Sequence, residues 1–139
     1  MNAEVFRRKW LLWAGAVVLV LLFLALDSNV DRFKLAARES SAVGYLRKIV
    51  FEQNKFRSQH GCFASELGEL PDGTSRDHDY AYAVMPEAKD EKGCVTKYSV
   101  TASPASAETK GARYFSMDET ETLRSETKHP ASASSPVLK

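Results

Sequence analysis

Residues 37–61 read ARESSAVGYLRKIVFEQNKFRSQHG and contain the clearest helical pattern in the polar part of the chain. Apolar residues recur there at the period of an α-helix, which predicts a helix with one buried face. Gly44 lowers helix stability by about 1 kcal/mol but does not end the helix. The apolar stripe comprises Leu35, Ala42, Val43, Leu46, Ile49, Val50 and Phe56. The charged residues assigned mostly to the opposite, solvent-exposed face are Arg38, Glu39, Arg47, Lys48, Glu52, Lys55 and Arg57.

Residues 10–26, WLLWAGAVVLVLLFLAL, form an apolar segment without charge or proline. A helix rises about 1.5 Å per residue, so this segment is at the lower length limit for crossing about 30 Å of hydrocarbon. Trp10 and Trp13 are suited to the membrane interface. Phe23 belongs to the same apolar surface, and Gly15 would let a second transmembrane helix approach closely. We therefore predict a transmembrane anchor.

The charges on either side of this segment predict its orientation. Arg7, Arg8 and Lys9 precede it and Asp27 follows it, so the N-terminus is expected in the cytoplasm. The protein would then be a single-pass protein of the cytoplasmic (inner) membrane, with a periplasmic or extracellular C-terminal domain. A cleaved signal peptide is the alternative, but the exit FLALDSNVD has no A-x-A cleavage site. We expect the segment to remain uncleaved.

Three segments after Gly61 have the composition and alternation of β-strands: DYAYAVMP, CVTKYSVTA and ARYFSMD. A short fourth strand is predicted around residues 122–124. The amphipathic helix would cover the apolar face of this antiparallel sheet. We predict an α+β fold, in which a long N-terminal helix, transmembrane and then amphipathic, packs on three to four strands. The expected segments are a cytoplasmic N-terminus at 1–9, a transmembrane helix at 10–26, an amphipathic stalk helix at 27–60, a loop and sheet at 61–126, and a disordered tail at 127–139.

The two cysteines, Cys62 and Cys94, both lie in the part expected to be exported. An oxidising compartment favours a disulfide between them, and two buried thiols are the alternative. With His60 and His78 they supply four nitrogen or sulfur ligands, but their spacing is not that of a zinc site. The acidic loop at residues 72–79 fits no EF-hand pattern. The sequence alone does not decide whether this loop binds calcium.

The remaining composition bears on partners and catalysis. The formal net charge is +1, which gives no reason to expect a nucleic-acid partner. The sequence has no G-x-S-x-G motif, phosphate-binding loop or dinucleotide fingerprint. We expect no enzymatic activity, cofactor, metal or catalytic residue.

Two stretches carry a resemblance to a known family. ARESSAVGYLRKI resembles part of the shaft helix of bacterial type IV pilin-like proteins, which include the pseudopilins of type II secretion. YSVTASP followed by GARYFSMDETETLR resembles their C-terminal pattern G-x-R-x-F-x-x-D-x-x-G-x-I-R. The resemblance implies a pilin-like fold. The chain differs from these proteins in two places: no glycine–phenylalanine processing motif opens the apolar segment, and Glu121 replaces the glycine of the last hairpin.

Three functions are compatible with this sequence. The first is an accessory or structural subunit of a larger membrane complex, with lipid, other transmembrane helices or pilin-like subunits as partners. The second is a pilus or type II secretion pseudopilus subunit that assembles laterally through its N-terminal helix. The third is an exported ligand-binding domain on a membrane tether. The absence of the processing motif favours the first function.

Overall fold

A computed structural model describes residues 3–71, 79–106 and 109–138 of the 139-residue chain. One long helix, α1, runs from Ala3 to His60. Four strands follow: β1 is Tyr80–Lys89, β2 is Val95–Pro104, β3 is Tyr114–Asp118 and β4 is Leu123–Glu126. A short 3₁₀ helix, Leu67–Glu69, lies between α1 and β1. The predicted α+β fold, a long N-terminal helix with a four-stranded antiparallel sheet, is confirmed.

The chain divides into two compact units, Met1–Ala36 and Ala37–Lys139. Within the described part of the first unit the backbone is helical throughout. The helix is long and apolar enough to cross a membrane. Its side chains from residue 13 to residue 24 are all exposed, so no described residue of the chain covers this apolar surface.

The second unit consists of the rest of α1 and the sheet. The strands are antiparallel and follow one another in the order β1-β2-β3-β4. The register pairs Val84 with Val100 and Val100 with Met117, which places these apolar side chains on one face of the sheet. Val100 and Met117 are buried there. The helix supplies the other half of this core.

Gly61 ends α1 because its backbone adopts the left-handed conformation, with φ of +80°. Its amide donates to the Arg57 carbonyl at 2.8 Å, as in the glycine caps that commonly close helices. The next residues then turn back along the sheet: Phe63 forms an isolated antiparallel bridge with Val95. This return brings Cys62 beside the start of β2.

The C-terminal segment differs from the expected disordered tail. Val137 forms an antiparallel bridge with Arg124 of β4, and the Leu138 amide donates to the Leu123 carbonyl at 2.8 Å. Ala131 and Ser135 are buried. The tail thus covers the outer edge of β4, and its small residues allow the close approach.

Candidate functional site

The predicted anchor lies on the first part of α1. Trp13 is 74% exposed and Phe23 is 69% exposed. A Cβ at Gly15 would meet no other atom within 4 Å, so the surface around this residue is open. Trp10 is in the helix, as are the topology residues Arg7, Arg8 and Lys9, but their side chains lie outside the described set. The geometry is suited to contact with lipid or with another helix.

The predicted stripe on α1 is buried at its centre. Ala42, Leu46, Ile49 and Val50 are each at most 2% exposed. The residues at the margins of the stripe are half-buried: Leu35 in the first unit, and Val43 and Phe56 in the second. From Ala42 to Val50 the stripe therefore belongs to the intramolecular core of the second unit.

Two charged residues that the sequence pattern assigns to the solvent face lie elsewhere. Glu52 is only 9% exposed, and one of its carboxylate oxygens makes no hydrogen bond in the described part of the chain. The Lys55 ammonium lies 3.7 Å from the same oxygen. Glu39 is turned toward the start of β3. The helical period alone assigns polar residues to solvent, so it could not identify either exception.

Glu39 and Arg113 form three hydrogen bonds between α1 and the residue that precedes β3. The Glu39 Oε2 atom accepts from the Arg113 Nε and Nη2 atoms at 3.1 and 2.8 Å, and Oε1 accepts from the Arg113 amide at 2.9 Å. The hydrogen bond to Glu39 raises the pKa of Arg113 despite partial burial. Nearby, the Arg38 guanidinium contacts the Asp79 carboxylate at 3.1 Å. These contacts fix the first turns of the buried helix against the ends of two strands.

Gln53 holds the other end of the same helix in place. Its side chain is fully buried and accepts from the Ala64 amide at 2.8 Å while donating to the Ala64 carbonyl at 3.1 Å. The segment that follows α1 has no strand neighbour for Ala64, so the glutamine amide satisfies its backbone instead. Sequence reasoning missed Gln53 because a lone glutamine on a helix is usually exposed.

The predicted disulfide is present. Cys62 and Cys94 are bonded, with their Cα atoms 5.4 Å apart. The bond joins the end of α1 to the start of β2, beside the bridge between Phe63 and Val95. Since both sulfurs are used in this way, neither is a thiolate ligand for the zinc considered above. A disulfide of this kind indicates an oxidising environment.

The metal hypotheses concern residues that are only partly described. Within the described ranges no group of three or more histidine, cysteine, aspartate or glutamate side chains is placed to hold a metal. His78 and most of the acidic loop, residues 72–78, lie outside those ranges. His60 is exposed and its ring stacks on Phe56.

A polar cavity of about 130 Å³ lies on the side of the sheet that faces away from α1. Lys97, Arg124, Glu87, Asp118 and Glu119 all contribute to its walls. The tail closes one side, where the Arg124 Nη1 atom donates to the Ser135 carbonyl at 2.9 Å. Cations and carboxylates are mixed around this cavity.

The turn between β3 and β4 is both acidic and conformationally unusual. The Asp118 carboxylate accepts from the amides of Thr120 and Thr122 at 2.9 and 3.1 Å. Glu121 has a φ of +63°, the only positive value at a residue other than glycine in the described chain. It occupies the position at which the pilin-like pattern has glycine.

Comparison with models of protein families, with curated proteins and with solved structures finds no match to this chain.

Proposed function

We propose that this protein is a single-span membrane protein whose disulfide-bonded α+β unit is a non-enzymatic accessory or structural subunit of a larger membrane complex. One observation carries the proposal: an apolar helix with exposed side chains is joined, in one chain, to a compact unit with its own core. Apolar surface of this extent requires lipid or other helices around it.

The proposed location is the cytoplasmic (inner) membrane. Arg7, Arg8 and Lys9 would keep the N-terminus in the cytoplasm, and the second unit would then be periplasmic or extracellular. The Cys62–Cys94 disulfide supports export of that unit. Lipid and other transmembrane helices are the proposed partners of the anchor, with Gly15 as the point of closest helix approach.

Two experiments test location and orientation. Membranes are washed with alkaline carbonate, which removes peripheral proteins, and the chain is expected to remain in the pellet. Protease added to spheroplasts, in which the outer face of the inner membrane is accessible, should then cleave the second unit and spare the N-terminus. Release by carbonate, or protection of the second unit, would contradict the proposal.

The accessory role is tested by purification in mild detergent through a C-terminal tag. We expect companion membrane proteins in a constant ratio to this chain. A variant with Gly15→Leu serves as a matched test of the anchor, because the larger side chain should block close helix packing without shortening the apolar segment. If neither the wild-type chain nor the Gly15→Leu variant retains a companion under conditions that preserve known complexes, the accessory role is wrong.

A second candidate is a pilus or type II secretion pseudopilus subunit. The order of elements favours it, since a long N-terminal helix covers one face of an antiparallel sheet as in pilin-like proteins. The mass of the protein isolated from membranes distinguishes the two. Loss of about the first 15 residues together with recovery in filaments would favour the fibre subunit, and an intact N-terminus would favour the accessory role.

A further inference from the structure

The charges of the second unit are unevenly distributed. Its described residues carry as many positive as negative side chains, yet every exposed charge on α1 between residues 40 and 58 is a cation. The one carboxylate in that stretch, Glu52, is buried against the rest of the unit. The outward side of the helix is therefore basic, although the charges of the unit's described residues balance.

An exposed aromatic side chain lies at the centre of this surface. Phe51 is 65% exposed, and Arg47 and Lys55 lie one helical turn before and after it on the same side. Lys48 adds a third cation, with its ammonium 6.0 Å from the centre of the Tyr45 ring. We call Arg47, Lys48, Phe51 and Lys55 the basic helix face. A single exposed phenylalanine is ordinary on a protein surface. Phe51 has cations around it, so this surface offers a partner both an apolar contact and positive charge.

The same unit carries a surface of opposite charge. The β3–β4 turn, residues 118–121, places three carboxylates within four residues. The Asp118 carboxylate is occupied by its own turn, whereas Glu119 and Glu121 make no ion pair in the described part of the chain. We call residues 118–121 the acidic turn.

The backbone at Glu121 provides a separate reason to assign a role to this turn. A left-handed conformation costs a residue with a side chain roughly 1–2 kcal/mol relative to glycine, and the φ of Glu121 is +63°. Unfavourable backbone conformations of this kind concentrate at functional positions. Glu121 therefore holds its carboxylate in this turn at a conformational cost.

We infer that the basic helix face of one copy binds the acidic turn of a second copy. Charge complementarity selects the occupant, because the chain itself supplies the exposed carboxylate of Glu121, with the half-buried Glu119 beside it, for the cations around Phe51. The two surfaces differ, so the contact is head-to-tail and leaves each copy able to bind another on either side. A helix face and one turn form a small interface, and such contacts are weak in dilute solution. Confinement of both copies to one membrane would raise their effective concentration.

The experiment uses the full-length chain in vesicles of neutral lipid, with Phe51 replaced by the photo-crosslinker benzoylphenylalanine. We expect cross-links to residues at or next to the acidic turn of a second copy, identified by mass spectrometry with isotope-mixed protein. Their yield should fall about tenfold in 1 M salt, where the Debye length shrinks to about 3 Å.

Two charge-reversed variants then test the pairing itself. The helix variant carries Arg47→Glu and Lys55→Glu, and the turn variant carries Glu119→Lys and Glu121→Lys. Each alone should lose about tenfold in cross-link yield, because both surfaces then have the same sign. A mixture of the two should regain it, since the reversed helix face meets the reversed turn. Lys89→Glu at the end of β1, combined with Lys92→Glu on the β1–β2 turn, is the matched control and should not change the cross-link yield.

The mixture keeps the inference falsifiable even if one variant is less stable. Cross-links to lipid or to another part of the second copy, or a mixture that stays as low as its components, would overturn it. The contact joins copies of this chain only, so its failure would leave the proposed accessory role standing.

Discussion

Replacing Gln53 with leucine tests whether one buried amide holds the end of α1 to the segment that follows it. The substitution keeps the side-chain size but removes both hydrogen bonds to Ala64, whose amide and carbonyl lie 2.8 and 3.1 Å from the glutamine. Ala64 is 1% exposed, so water cannot replace the lost partner without local opening.

The expected loss follows from these two groups. Each buried backbone group left without a partner costs about 1–3 kcal/mol, and the added apolar surface of leucine offsets part of the total. We expect the second unit to lose roughly 2–4 kcal/mol, a large share of the 5–15 kcal/mol typical of a domain. For about 100 residues that lowers Tm by roughly 10–25 °C.

Thermal unfolding of the full chain in detergent, followed by the near-ultraviolet circular dichroism of the tyrosines, measures this loss. Asn54→Leu is the control, because Asn54 is exposed and should change Tm little. Gln53→Glu sharpens the test: its carboxylate faces the Ala64 carbonyl, which raises the glutamate pKa in the folded state. Its stability should therefore be highest at acid pH and fall as the pH rises above about 4.3. A Tm for Gln53→Leu within about 3 °C of the wild type would refute the reasoning.

Three further variants probe other parts of the second unit. Tyr98→Phe should raise stability by about 1 kcal/mol, since the tyrosine hydroxyl is buried and makes no hydrogen bond in the described chain; denaturant unfolding at pH 7 measures it. Burial raises the pKa of Tyr98, with a smaller contribution from the nearby carboxylates, so the folded state holds its proton more tightly. The wild type should then lose stability as the pH rises above about 10, and the phenylalanine variant should lose less. Glu121→Gly should stabilise the unit by up to about 1 kcal/mol, because glycine adopts the left-handed backbone conformation more readily. It should also lower the cross-link yield from position 51. A stabilised variant with undiminished cross-linking would show that the Glu121 carboxylate does not contribute to the contact. Cys62→Ser with Cys94→Ser should cost roughly 3–4 kcal/mol in the chain-entropy model for a loop closed over 32 residues, and equal urea midpoints for oxidised and reduced wild-type protein would contradict that estimate.

The main elements of the fold could be predicted because their signals are local. The spacing of Ala42, Leu46 and Ile49 marks a buried helical face without any knowledge of what covers it. Strand alternation works in the same way for the sheet. The disulfide followed from a different kind of reasoning, the compartment in which the cysteines were expected.

The polar contacts between elements could not be predicted because their partners are far apart in the chain. Glu39 and Arg113 are separated by 74 residues, and nothing in either local pattern distinguishes them from a pair of solvated charges. Gln53 is only 11 residues from Ala64, but its partner is a backbone group, which the residue type does not reveal. Polar residues on a helix are assigned to solvent by default, and these contacts are the exceptions.

The tail illustrates how composition can mislead when an edge is available. Small polar residues and two prolines bury too little apolar surface to fold alone, which is why disorder was the expectation for 127–139. The edge of β4 changes this balance by offering backbone partners that do not depend on side-chain size. Prolines at 130 and 136 suit an edge, since neither has an amide to leave unpaired. The tail therefore occupies the edge of β4 through its backbone, while the buried Ala131 and Ser135 are small enough to let it lie close. The tail is ordered because the edge of β4 lies beside it, and the residue types of the tail alone do not reveal this.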